Sequence, residues 1–253
     1  MMKTPETQEI VRVRPASSRS ELVLVCEHAS RYIPSELNAL GLPDSDRSSH
    51  AAWDPGAFAV AEHMAASMEA VLVSSGVSRL VYDCNRPPEA PDAMPAQSER
   101  VSVPGNAELD AAARKARAEK YYLPFRDAVA REIAARDNPV LVTIHSFTPV
   151  YHGKQRDVEI GILHDSDRRL ADAMLALAAT HSVMITRRND PYGPEDGVTH
   201  TLKEHAVRHG HLNVMIEIRN DLIQSQDQQR DVAEMLSIWV LAALARLREA
   251  SNG

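Results

Sequence analysis

Four short apolar runs constrain this chain more than any other feature, because each is unbroken and each stops abruptly at polar or charged side chains. Residues 22–26 (LVLVC) run out into Glu27 and His28, and residues 79–82 (RLVY) into Asp83, Cys84, Asn85 and Arg86. Residues 139–144 (PVLVTI) run out into His145 and Ser146, and residues 212–216 (LNVMI) into Glu217, Ile218 and Arg219. A run this short that does not alternate predicts a strand buried on both faces, as in a parallel sheet covered by helices. Four such strands with chemistry at one end predict a single site at the carboxyl edge of the sheet, where open α/β folds bind ligands.

The segments between these runs carry the helical period. Helices are expected over residues 35–40, 57–69, 107–135 (broken near Pro124), 167–180, 199–210 and 226–248, with further strands over 71–74, 158–163 and 183–186. The alternation predicts an α/β class fold with a mostly parallel, mixed central sheet flanked by helices. No composition break divides the chain, so residues 1–19 read as a loose lead-in and 20–253 as a single domain. Two loops rich in turn formers, 87–104 and 189–197, are long enough to close over a substrate.

Composition removes several classes of function. A net charge of −7 and 4% aromatic residues give no footprint for nucleic acid or an anionic membrane. No run reaches transmembrane length and the opening segment has no apolar signal core, so a soluble protein is expected. Only Cys26 and Cys84 occur, both at ends of expected buried strands, which predicts a reducing cytoplasm rather than a disulfide framework. No glycine-rich phosphate loop follows any strand, which disfavours a nucleotide cofactor.

The residues left at the strand ends suit a metal-dependent hydrolase. His28 and His145, at the same end of two strands, can converge on one divalent metal ion, with zinc the expected identity. Asp54, in a Trp-Asp-Pro-Gly turn, is the expected third ligand, although it also stands where a plain helix N-cap would. Glu217, a carboxylate at the rim of a dry sheet, is the expected general base, with an ion pair to Arg219 or Arg86 as the structural alternative. Arg86 and Arg219 offer forks for a substrate carboxylate, Asn85 shapes the turn that presents Arg86, and Ser146 lies beside His145 as a further contact.

These residues also resemble a known family. Cys26-Glu27-His28-Ala29-Ser30 with Ile33-Pro34, Asp54-Pro55-Gly56-Ala57, Asp83-Cys84-Asn85-Arg86-Pro87, His145-Ser146-Phe147 and Glu217-Ile218-Arg219-Asn220-Asp221-Leu222 together resemble the N-formylglutamate amidohydrolases. The resemblance runs in order over residues 21–244, and departs at Glu27, where many relatives carry proline. It implies a fold like that of zinc carboxypeptidases and aminoacylases, and hydrolysis of N-formyl-L-glutamate to formate and L-glutamate in histidine degradation. It supports His28 and His145 as ligands and Glu217 as the base, with Arg86 and Arg219 as substrate or oxyanion contacts. Two rival expectations stay open: a hydrolase of another N-acyl amino acid or peptide C-terminus, and a metal-free carboxylate-binding relative.

Overall fold

In the computed structural model, which describes residues 9–16 and 20–251, seven strands form one mixed sheet. They are β1 (Val11–Arg14), β2 (Leu22–Cys26), β3 (Val71–Ser75), β4 (Val140–Phe147), β5 (Ile160–Leu163), β6 (Thr186–Arg188) and β7 (Leu212–Arg219). Their order across the sheet is β1, β3, β2, β4, β7, β5, β6. The central four are mutually parallel. The antiparallel joints lie outside them, β1 on β3 and β5 on β7, with β6 parallel to β5. This is the single α/β domain that the alternation of elements predicts.

The central strands read as continuous apolar runs because both faces are covered. Leu22, Leu24, Val140, Val142, Ile144, Val214 and Ile216 face a layer of three helices, α1 (Ala57–Ser67), α3 (Arg169–His181) and α5 (Gln226–Ser251). Leu236, Trp239, Val240, Ala243 and Leu244 form the inner stripe of α5, and the Trp239 indole donates to Met174 O at 2.8 Å. Val23, Val25, Leu141 and Met215 face the other layer: α2 (Leu123–Ala134), α4 (His200–His205) and the loop from Val77 to Tyr82. A π-helical turn at Ala118–Tyr122 leads into α2, one turn before Pro124, which has no N–H to continue the ladder.

Several expected elements are corrected. Residues 79–82 form no strand but a buried loop, whose carbonyls are satisfied by side chains. Asn106 Nδ2 donates to Leu80 O at 2.8 Å and Arg117 Nη1 to Val81 O at 3.4 Å. An unbroken apolar run reports burial, not which partner takes the backbone. Within the expected lead-in, Val11–Arg14 pairs with β3 as the edge strand β1, while residues 1–8 and 17–19 lie outside the described residues. The strand expected at 183–186 begins only at Thr186. The 212–216 strand continues to Arg219, so Glu217 is itself a strand residue, directly opposite His145.

Alternation along the sheet then sets the site. His145 and Glu217 fall on the same face as Leu141 and Met215, at the top of the layer opposite α5. The turn before α1 hinges on Gly56, at φ 81°, where an added Cβ would stand 2.5 Å from Ile223 O. Gly197 has a similar φ of 72° with nothing within 4 Å. Gly197→Ala is therefore expected to cost about 1–2 kcal/mol for its left-handed backbone alone. Gly56→Ala should cost more, by roughly 1–3 kcal/mol of overpacking, as measured by urea unfolding of the two variants.

Candidate active site

Three loops and two strands bring the predicted residues to one buried cluster. Asp54 Oδ2 lies 3.2 Å from His28 Nδ1 and 2.9 Å from His145 Nδ1, and the two Nδ1 atoms are 3.2 Å apart. The three ligand atoms lie within 4.8 Å of one another and all three residues are buried. Asp54 is not a helix cap: Gly56 occupies the N-cap position of α1 with no side-chain cap. The Asp54 carboxylate instead accepts the Ser146 N–H at 3.2 Å, and Ser146 Oγ donates to Pro55 O at 2.9 Å. Ser146 thus pins the turn that aims Asp54.

The outer nitrogen of each ring faces a second carboxylate. His28 Nε2 donates to Asp83 Oδ1 at 2.7 Å, and His145 Nε2 stands 3.1 Å from Glu27 Oε2. When a ring is neutral, such an outer partner holds its proton at Nε2 and turns the Nδ1 lone pair inward; when it is protonated, Nδ1 donates to Asp54. Two inward lone pairs and a carboxylate oxygen at these separations repel one another unless a cation lies among them. The donor set, two imidazoles and a carboxylate, fits a divalent transition ion.

Charge in the cluster follows from the same contacts. Burial opposes ionisation of Asp54, but the neighbouring charge of His28 and hydrogen bonds from both rings hold its carboxyl far below the usual range. Burial likewise opposes ionisation of Asp83, which the charges of His28 and Arg79 bring well down. Desolvation works against the imidazolium of His145, yet the charge of Glu27 and the hydrogen bond of Asp54 raise it well above the ordinary histidine value. His28 is raised too: Asp83 and Asp54 outweigh burial and the Arg79 charge.

Glu217 is the exception. Burial pushes its carboxyl up to about 7, with Asp54 adding to the rise against the pull of His145. Its Oε2 is buried and has no hydrogen-bond partner among the described residues. Gly161 faces it across β5, and an added Cβ there would meet Glu217 Cβ at 3.1 Å. The alternative of an ion pair to Glu217 finds no support among the described residues: Arg86 Nε pairs with Asp92 at 2.6 Å, and Arg219 binds Asp221 at 2.8 Å and Glu159 at 3.2 Å.

A cavity of about 460 Å³ opens over the cluster, lined by His28, Asp54, His145, Glu217 and Arg86 among others. Arg219 is not among its lining residues, because its own acidic neighbours hold it beside the sheet edge. Asn85 reaches the wall, but its amide is committed to the backbone of the next loop, donating to Val198 O and accepting from Thr201 N at 3.0 Å. Both long loops contribute to the wall, through Ser98 and Glu99 and through Pro191, Tyr192 and Asp196.

Three residues at the site escaped the reading of the sequence. Arg79 bonds Asp83 Oδ2 at 3.0 Å and Asp54 Oδ1 at 3.4 Å; read as the first residue of a strand, it had no reason to turn inward. Glu27 backs His145, although as a strand-end residue it was noted only for its place in the family pattern. Arg156 stands in a polar loop, with the aromatic Tyr151 and Tyr192 as the signals beside it.

A buried imidazole–carboxylate cluster that could hold a metal ion, beside a buried acid at the carboxyl edge of a mixed α/β sheet, is an arrangement suited to hydrolysis. The sequence profile of N-formylglutamate amidohydrolases matches residues 20–224, and the chain belongs to that family, whose members hydrolyse an amide bond. The gene product Atu2144 of Agrobacterium tumefaciens is 55% identical, with a TM-score of 0.92 over 95% of this chain and 96% of that one. The N-formylglutamate amidohydrolase of Ralstonia eutropha JMP134 shares the fold at 14% identity, with a TM-score of 0.71 over 95% and 98% of the two chains. The chain matches none of the curated proteins.

Arg79 is the one arginine of the cluster, so removing it leaves two buried carboxylates short of charge. Arg79→Met should destabilise the protein on the order of 3 kcal/mol in chemical unfolding at neutral pH. Arg219→Met, whose partners Glu159 and Asp221 keep partial access to water, should cost less, about 1 kcal/mol.

Proposed function

We propose that this chain hydrolyses N-formyl-L-glutamate to formate and L-glutamate, with one divalent metal ion, zinc, held by His28, Asp54 and His145. The observation that carries the reading is the convergence of their three ligand atoms beside the unpartnered Oε2 of Glu217, in a chain of this family. A divalent ion held there by His28, Asp54 and His145 would polarise the amide carbonyl and make a water more acidic at neutral pH.

The rest of the reaction falls to the chain's own side chains. Glu217 Oε2 accepts the proton of the attacking water and returns it to the amide nitrogen as the C–N bond breaks, so that glutamate leaves as an amine. A carboxyl raised toward neutrality by burial suits both transfers, since it gains and gives up a proton near the working pH. Arg86 is oriented by Asp92 and by the carbonyls of Asn85 and Gly197, with Nη2 left to grip the substrate's α-carboxylate and support the developing oxyanion. Asn85 and Ser146 act by position, one fixing the loop wall and the other the Asp54 turn. The loops over 87–104 and 189–197 wall the cavity and exclude water once substrate is bound. The same reading places the reaction in a reducing cytoplasm, which the two buried, unpaired cysteines Cys26 and Cys84 support.

Elemental analysis of the purified protein, beside turnover of N-formyl-, N-acetyl- and N-succinyl-amino acids, tests the proposal. Stoichiometric zinc and fastest turnover of N-formyl-L-glutamate are expected, with activity lost on chelation and restored by zinc. Glu217→Gln should keep the metal and lose about 100- to 10,000-fold in kcat. The acid limb of the wild-type pH profile should rise with pH, because the base works only when ionised. Full activity in the chelated protein, or in Glu217→Gln, would sink the mechanism.

A further inference from the structure

Three guanidinium groups line the cavity, and two of them are neutralised within the protein. Arg79 is paired with Asp54 and Asp83, and Arg86 with Asp92. Arg156 is different: among the described residues it has no carboxylate partner. Its Nη1 donates to Thr148 O at 3.3 Å and its Nη2 to the Tyr192 hydroxyl at 3.1 Å, both uncharged acceptors. Its guanidinium carbon lies 4.5 Å from the ring centre of Tyr151, 4.9 Å from that of Tyr192 and 5.5 Å from that of Phe147. Aromatic faces hold a cation in place without cancelling its charge.

We propose that Arg156 is the receptor for the side-chain carboxylate of the substrate, which makes N-acyl derivatives of acidic amino acids the class this cavity selects. The inference rests on the hydrolase reading above and adds to it the residue that reads the side chain. A half-buried, immobilised guanidinium with no internal counter-charge has already lost much of its hydration and rotamer freedom. A carboxylate that meets its fork therefore gains a charge-assisted contact at little further cost.

Position separates this receptor from the reaction centre. Phe147, on which Arg156 stacks, is two residues beyond His145 along β4, a displacement of about 7 Å. The substrate's α-carboxylate is carried by the carbon next to the scissile nitrogen, so it must stay near the cluster. Arg86 is close enough there for its charge to act on Asp83. A side-chain carboxylate extends past that point by the length of a glutamyl chain, toward Arg156. Tyr192 spans the interval: its hydroxyl accepts from Arg156, and its phenol, pushed up to about 12 by burial, also senses the charge of Glu217. The acid on the neighbouring wall does not compete for Arg156, because Glu99 is taken by His50 at 2.6 Å.

The test compares N-formyl-L-glutamate with N-formyl-L-glutamine, which has the same length without the charge, on wild type, Arg156→Gln and Arg156→Lys. Wild type should prefer the glutamate compound. Arg156→Gln should lose on the order of 10- to 100-fold in kcat/KM on it, mostly through KM, with only a few-fold change on the glutamine compound. Arg156→Lys should fall between, keeping the charge without the fork. Equal losses on both compounds, or an unchanged preference, would overturn the proposal by showing a role confined to structure. Calorimetric binding of L-glutamate and L-glutamine needs neither turnover nor a folded Arg156→Gln. Wild type and Arg156→Lys binding both ligands alike would also overturn the proposal. Glutamate-selective binding that weakens in Arg156→Lys, without hydrolysis of either formyl compound, would uphold the receptor while removing the formylglutamate reaction.

Discussion

Asp54 Oδ2 lies between two imidazole nitrogens, 3.2 Å from one and 2.9 Å from the other, while Oδ1 rests on Arg79. From that oxygen a chain of alternating acid and ring runs both ways: Asp83, His28, Asp54, His145, Glu27. All five are buried, where an uncompensated charge costs several kcal/mol. Three carboxylates bring three negative charges. Arg79 supplies one positive charge, and the two rings supply the rest if both are protonated, as their raised proton affinities favour. A divalent cation among neutral rings gives the same balance. With both rings protonated the cluster is thus neutral, and it would stay neutral if two protons gave way to one divalent ion. That balance lets a set of side chains this dense be buried together.

The sheet exists, from the site's point of view, to hold this chain of contacts taut. β2, β4 and β7 are parallel neighbours or next neighbours, so their carboxyl ends lie side by side, and register places His145 beside Glu217. The same alternation that sends Val142, Ile144, Val214 and Ile216 into the α5 layer sends His145 and Glu217 the other way. A slip of one residue in either strand would bury an ionisable side chain against Trp239's layer. Register is therefore set by the apolar pattern far more strongly than by the site itself.

How much of this is legible in the sequence depends on whether an apolar run states its own partners. For residues 22–26, 139–144 and 212–216 it does: each is a central strand, and the residue that follows sits at the site. For residues 79–82 it does not, because side chains of Asn106 and Arg117, remote in sequence, take the carbonyls that a ladder would have taken. The convergence of His28, Asp54 and His145 is readable because two rings and an acid at strand ends have few other uses together. Arg79, Glu27 and Arg156 are not, since each acts on a neighbour supplied by a distant segment. Arg219 shows the converse error. Strand periodicity places it on the face of Glu217, but its side chain is taken by Glu159 and Asp221, partners that no period reveals.

Glu217 and Asp54 show why one of several buried acids stands apart in its affinity for a proton, the property the proposed base needs. Both are carboxylates in the same cavity, and burial raises the proton affinity of each. Asp54 receives hydrogen bonds from two rings and the nearby charge of Arg79, so its ionised form is overcompensated. Glu217 has an oxygen with no donor among the described residues and a glycine across the ladder on β5, while His145, across on β4, turns its nitrogens to Asp54 and Glu27. The neutral form is therefore held within reach of pH 7 on Glu217 and is inaccessible on Asp54. Environments that drive two acids apart in this way assign one to hold charge and the other to move protons. The division needs no difference in residue chemistry, only that rings and an arginine crowd one acid while β5, on one side of the other, offers a glycine and no donor.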